Sequence, residues 1–148
     1  MIACSKKTIT KEVAMRRKAV LFAMSAVLAA VFAGVALADM HAVKVSEKGG
    51  LGKFLVDAKG MTLYLFKKDS PGKSACAGPC LENWPLYHRE KVAANAGMKT
   101  EDFGVITRDD GKKQTTYKGM PLYYFAGDKK PGDTAGQGMG GNWYVVNP

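Results

Sequence analysis

Residues 119–128 read GMPLYYFAGD, and fifty-nine residues earlier the chain reads GMTLYLFKKD. Gly60, Met61, Leu63, Tyr64, Phe66 and Asp69 recur as Gly119, Met120, Leu122, Tyr123, Phe125 and Asp128. The offset persists at Asn83-Trp84 and Asn142-Trp143. A repeat of this length is one supersecondary unit that cannot bury its apolar face alone. Two copies, about 53–87 and 112–146, can pack their apolar faces together.

Short alternating runs punctuated by Gly, Asp and Pro predict an antiparallel β protein. Strands are expected near Val43–Val45, Lys53–Val56, Thr62–Phe66, Phe103–Thr107, Gln114–Tyr117, Leu122–Phe125 and Trp143–Val146. Lys59-Gly60 and Lys118-Gly119 supply tight connections, and Asp110-Gly111 is a strong hairpin signal. Side chains alternate along a strand, so Leu63 and Leu65 share one face while Tyr64 and Phe66 share the other. Both faces are apolar or aromatic, as in a strand covered on both sides. The expected fold is all-β, a small antiparallel sandwich or barrel with pseudo-twofold symmetry. Helix is limited to short turns within Ala75–Asn83 and Ala94–Asp102.

The N-terminus reads as an address. Arg16-Arg17-Lys18 precedes an apolar run from Ala19 to Ala38 that ends in Ala36-Leu37-Ala38, a signal-peptidase pattern. Residues 1–38 are expected to be a signal peptide, with Met15 as an alternative start that would make 1–14 an over-extension. The run is also long enough to span a bilayer, so an uncleaved anchor competes with export. Cleavage leaves residues 39–148 as a single domain with no stable membrane insertion, exported to the periplasm or secreted. That portion has 16 Lys+Arg and 12 Asp+Glu, a net +4 against +9 for the whole chain. The charges are interspersed, which argues against nucleic acid as a partner and leaves weak attraction to an anionic envelope.

The segments LVDAKGMTLYLFKKDSPGKSACAGPCLENWP (55–85) and TRDDGKKQTTYKGMPLYYFAGDKKPGDTAGQGMGGNWYVV (107–146) carry a second kind of information. They resemble secreted proteins and lipoproteins defined by a repeated Y-x-[FWY]-x-x-D motif, mostly of unknown function. The resemblance implies an exported two-repeat β domain, often lipid-anchored, with no agreed catalytic residues. Here Asp39 occupies the position where a lipoprotein would carry its acylated Cys.

Each chemically suggestive residue has a structural reading. Asp69 and Asp128 stand before Pro-Gly turns and are expected to accept backbone N–H groups there, with Tyr64, Phe66, Tyr123 and Phe125 as scaffold. Cys76 and Cys80 remain after cleavage, and in an oxidising compartment they are expected to pair. The loop they close is short, so the entropic gain is about 2 kcal/mol. A redox C-x-x-C at the start of a helix is absent. The G-x-G-x-x-G of Gly136–Gly141 lacks the strand before and helix after it that a nucleotide site needs, and reads as a flexible loop. Trp84 and Trp143 read as core anchors. His88 and Met139 are the residues through which a metal or haem could be held. The function these signals favour is a non-enzymatic envelope module binding an unknown partner or small ligand, with no cofactor. The alternative is a periplasmic redox protein handling copper or haem.

One metal site follows from the expected cleavage. A terminus reading Asp39-Met40-His41 offers the free amine, two amides and the imidazole, a tetragonal nitrogen set suited to Cu(II) or Ni(II). The amine, with an ordinary pKa of about 7.7–8.0, must lose its proton, so affinity should rise from pH 6 to 8. The purified mature form is expected to bind one Cu(II) with a visible d–d band that His41→Ala abolishes. A band that survives this change, or that survives one residue added before Asp39, would eliminate the site.

Overall fold

A computed structural model of the protein describes residues 42–95 and 97–148. The leader and Asp39-Met40-His41 lie outside the described residues. The strands are β1 (Ala42–Lys48), β2 (Gly52–Val56), β3 (Tyr64–Phe66), β4 (Ala93–Ala94), β5 (Phe103–Thr107), β6 (Lys113–Tyr117), β7 (Met120–Pro121) and β8 (Trp143–Val145). A single helical turn, α1 (Cys80–Asn83), and 3-10 turns at Thr100–Asp102 and Met139–Gly141 complete the secondary structure. The strands form small sheets in the orders β2-β1-β4, β3-β8 and β5-β6-β7. All pairings are antiparallel except β1 with β4. The domain is mostly β with only short helical turns, and among the described residues its sheets do not close into a barrel.

A pseudo-twofold axis passes between Tyr64 and Tyr123. Tyr64 N donates to Tyr123 O at 2.8 Å, and Tyr123 N donates to Tyr64 O at 3.0 Å. Around this pair each half of the domain closes a triangle of backbone bonds. In one half Leu55 N reaches Val146 O, Val146 N reaches Leu63 O, and Leu63 N reaches Leu55 O. In the other, Thr115, Tyr87 and Leu122 do the same. Each triangle takes two strands from one repeat and its third from the other. The Trp143 arm of the second repeat pairs with β3, while Asn83 and Pro85 of the first accept from Ala126 and Tyr124. The repeats have exchanged arms, so neither is a folding unit by itself.

Alternation then builds two cores on opposite faces of this layer. Leu55, Leu63, Tyr87, Leu122 and Val146 point to one, with Val43, Val92 and Tyr117. Phe54, Val56, Tyr64, Tyr123, Trp84, Trp143 and Val145 point to the other. Leu65 and Tyr124 pack against the first core, Phe66 and Phe125 against the second, as the sequence alternation predicts.

The departures from expectation have local causes. Leu122–Phe125 is not one ladder strand, because Tyr123 bridges two separate segments, Tyr64 on one side and Leu86 on the other. The β7 ladder covers only Met120–Pro121, although Leu122 N still donates to Thr115 O before the chain passes between Tyr64 and Leu86 at Tyr123. Likewise β3 starts at Tyr64, with Thr62 only bridging Val56. The two inter-strand turns also differ. Lys118 (φ 49°) and Gly119 (φ 83°) are both left-handed, the two-residue hairpin turn whose twist suits antiparallel strands. The first repeat has one residue more between Leu55 and Leu63 than the second has between Thr115 and Leu122. There Asp57 Oδ1 holds the longer turn by accepting from Lys59 N and Met61 N, both at 2.9 Å.

The exchange has a direct consequence. Residues 39–90 and 91–148 expressed separately are expected to lack the near-ultraviolet circular dichroism of packed aromatics, and to regain it when mixed. A stably folded isolated half would contradict the exchange.

Candidate functional site

The centre of the second core is aromatic. The Trp84 and Trp143 rings stack with centroids 3.7 Å apart and planes 3° from parallel. Phe66 stacks on the outer face of Trp143 at 4.2 Å, and Phe125 covers Trp84 at 4.5 Å. Tyr64 meets Trp84 edge-on at 5.4 Å, and Tyr123 meets Trp143 edge-on at 5.1 Å. Gly136 is required by this packing: a Cβ there would sit 2.8 Å from Trp84 Cη2 and 3.0 Å from Tyr64 Cε1. The glycine loop is therefore a fitted cover over the stack. Its Gly138 N donates to Trp143 O at 2.8 Å.

The two tyrosines hold the two aspartates across the repeats. Tyr64 Oη donates to Asp128 Oδ2, and Tyr123 Oη donates to Asp69 Oδ2, each at 2.7 Å. The second oxygen of each carboxylate closes its own loop, Asp69 Oδ1 accepting from Ala75 N at 2.6 Å and Asp128 Oδ1 from Ala135 N at 2.9 Å. The expected turn role at Pro-Gly is thus replaced by a longer reach, six or seven residues on, plus a bond to the other repeat. Burial is the main force holding the Asp69 carboxyl above its ordinary pKa; the bonds from Ala75 N and Tyr123 Oη, and after them the charge of Arg108, oppose it.

The halves differ in what approaches the phenol from behind. Tyr64 Oη accepts from Gly136 N at 3.3 Å. At Tyr123 the partner is Ser74 Oγ, which in turn accepts from Arg108 Nη1 at 2.8 Å. Arg108 also donates to Gln114 Oε1 and Cys76 O, and its side chain is 4 % exposed. A buried guanidinium thus reaches the half-buried Asp69 carboxylate through two hydroxyls and has Asp110 Oδ1 3.4 Å from its Nε, contacts that offset the cost of burying it. Cys76 and Cys80 are bonded to each other, and the second repeat has Ala135 and Met139 at the equivalent positions. A third tyrosine–carboxylate pair, Tyr124 Oη to Asp57 Oδ2 at 2.8 Å, has no symmetry mate.

Two cavities lie outside this centre, and neither Asp69 nor Asp128 lines them. The smaller, about 140 Å³, sits beside Arg108 and Lys73 but also Asp109 and Asp110, so it presents no net charge. The larger, about 680 Å³, is an open groove between Arg89–Ala93 and the segment Thr100–Val105. Its floor includes Val92 and Phe103, and Val105 stands exposed on β5, the edge strand of its sheet. Glu90 at its rim pairs with Lys113 at 2.8 Å, which leaves Arg89 and Lys91 to set the charge there. Arg89–Ala93 and Thr100 come from the segment between the repeats, whereas Gly104 and Val105 belong to the β5–β6 hairpin, the counterpart of β1–β2.

The metal-ligand candidates are dispersed. His88 Nε2 lies 3.6 Å from Glu90 Oε1, and its buried Nδ1 has no hydrogen-bond partner. Met139 is 42 % exposed on the glycine loop. Among the described residues no group of three or more His, Cys, Asp or Glu converges. Sequence reasoning passed over Ser74, Arg108, Gln114 and Asp57, whose roles depend on partners far away in the chain. The groove had one available signal, that residues 88–103, which supply most of its lining, have no counterpart in the repeat.

Two segments of the chain, residues 46–87 and 104–147, match the model of a family described as a secreted repeat of unknown function. No curated protein and no solved structure matches the chain. No helix among the described residues is long and apolar enough to cross a membrane.

The carboxylate-bound phenols predict an alkaline limit to stability. An ordinary tyrosine titrates at 10.0, whereas burial and Asp69 push Tyr123 up to about 12. Burial and their aspartates raise Tyr64 and Tyr124 further. Above pH 10 the unfolded chain loses protons that the folded chain keeps, so stability is full below that pH and falls above it. The expected slope is about 1.4 kcal/mol per pH unit for each such tyrosine. Denaturant melts between pH 8 and 12 measure it, and Tyr64→Phe should remove one tyrosine's share. A flat profile would contradict the burial of these phenols.

Proposed function

The chain belongs to this family of secreted repeats, and from that premise we propose that it is an exported, non-enzymatic module that binds a ligand of the cell envelope. The groove between Arg89–Ala93 and β5 is the observation that carries the reading. Its volume falls within the range of small-ligand sites, and it joins apolar walls to a few charged groups. Most of its lining comes from the segment between the two family matches, set against the β5 edge of the repeated scaffold, an arrangement in which binding residues are usually found. The two cations at the rim favour a ligand with an apolar body and an acidic group. The aspartates support no acid–base chemistry in this reading, since each is committed to a phenol and a backbone amide.

Titration of the isotopically labelled protein with anionic phospholipid and with soluble peptidoglycan fragments tests the proposal. Amide shifts are expected at 89–93 and 100–105, with affinity falling at least about tenfold, or about 1.4 kcal/mol, in Arg89→Glu/Lys91→Glu. Shifts scattered over the repeats, or binding indifferent to the double charge reversal, would count against the groove.

A further inference from the structure

The aromatic centre has a geometry that packing alone does not favour. Aromatic pairs prefer offset or edge-to-face arrangements, because face-to-face rings oppose like quadrupoles. Trp84 and Trp143 nevertheless lie face to face, 3.7 Å apart and 3° from parallel. The unfavourable term reverses when one electron is removed, since a positive hole shared by two overlapping indoles is stabilised by delocalisation. Phe66 and Phe125 close the outer faces and are themselves too hard to oxidise to take the hole. Both tryptophans are buried, 5 % of Trp84 and 6 % of Trp143 remaining exposed, so the pair lies just beneath the surface.

On either side of the pair stands a phenol with a proton acceptor already in place. Oxidation makes a phenol a strong acid, so its electron leaves readily only if the proton has somewhere to go. Tyr64 has the Asp128 carboxylate at 2.7 Å, and Tyr123 has Asp69 at the same distance. Before oxidation the proton remains on the phenol, which donates to the carboxylate. The ring contacts run unbroken from Tyr64 through Trp84 and Trp143 to Tyr123.

We propose that Tyr64, Trp84, Trp143 and Tyr123 form a one-electron relay that takes oxidising equivalents from the surface and stores them as a buried tyrosyl radical. A radical oxidant of the peroxyl class takes one electron from the indole pair and becomes its anion. Tyr64 or Tyr123 returns an electron to the indole radical cation; its O–H bond breaks and the proton passes to Asp128 or Asp69. The products are two neutral indoles, one neutral phenoxyl radical and one carboxylic acid. A one-electron donor such as a thiol or quinol returns the electron, and the carboxylic acid returns the proton. The relay uses no metal, haem or cysteine and is independent of the groove, so charge reversal at Arg89 and Lys91 leaves it intact.

Pulse radiolysis of the folded protein with azidyl radical, which oxidises indoles selectively, tests the relay. The indolyl absorbance is expected to convert to tyrosyl absorbance at a rate independent of protein concentration. Tyr64→Phe/Tyr123→Phe should lose the conversion, and either single variant should retain it. Conversion in wild type that depends on protein concentration, or that survives in the double variant, overturns the proposal. The wild-type protein gives a further check should the double variant not fold. Proton transfer to the aspartate makes the conversion slower in D2O than in H2O, and equal rates in the two solvents overturn the proposal as well.

Discussion

The reciprocal backbone bonds between Tyr64 and Tyr123 are the constraint on which the rest of the domain hangs. They fix the register of the two repeats at the axis, and a strand shifted by one residue would turn every side chain to the wrong face. With the register set, Leu63 and Leu122 enter one core while the two phenols enter the other. The arms beyond α1 and beyond the glycine loop then cross to the opposite half. Their tryptophans meet face to face because both arms cross beside the same axis. Exchange of this kind removes any stable half-domain, since each triangle of backbone bonds lacks its third member until the other repeat arrives.

The buried polar groups follow the same geometry. A carboxylate at the end of the strand would be costly to cover unless its oxygens were bonded. Each aspartate is bonded twice, once to its own loop and once to the other repeat's phenol, so the loops are tied to the axis they cover. Arg108 makes one of the two ends different. Through Ser74 it places a cation behind Tyr123, where the other half has only the Gly136 amide. The Cys76–Cys80 bond braces the loop whose Cys76 carbonyl receives the guanidinium.

Symmetry also sorts scaffold from candidate sites. What the repeats share closes the core: tyrosines, aspartates, tryptophans and their stacked phenylalanines. What they do not share includes the segment 88–103, which supplies most of the groove, and single positions such as Ser74, the Cys76–Cys80 pair and Arg108. The relay belongs to the shared part, a use that symmetry makes possible by placing two phenols equivalently about one pair of indoles.

The sequence by itself determined the β class, the repeat offset and the two-faced burial of the Tyr64 and Tyr123 strands, because local alternation and turn chemistry act over a few residues. It also marked the glycines and the cysteine pair. Contacts between residues distant in the chain were decided only by the tertiary structure. Asp69 in sequence faces a Pro-Gly turn, yet its phenol partner lies 54 residues away. Trp84 and Trp143 read as equivalent core anchors, but nothing local announces that they face each other. Repetition alone does not say whether two copies sit side by side or exchange arms, since either would bury the same apolar faces. The exchange settles which phenol reaches which carboxylate, and it sets the indoles in register at the axis.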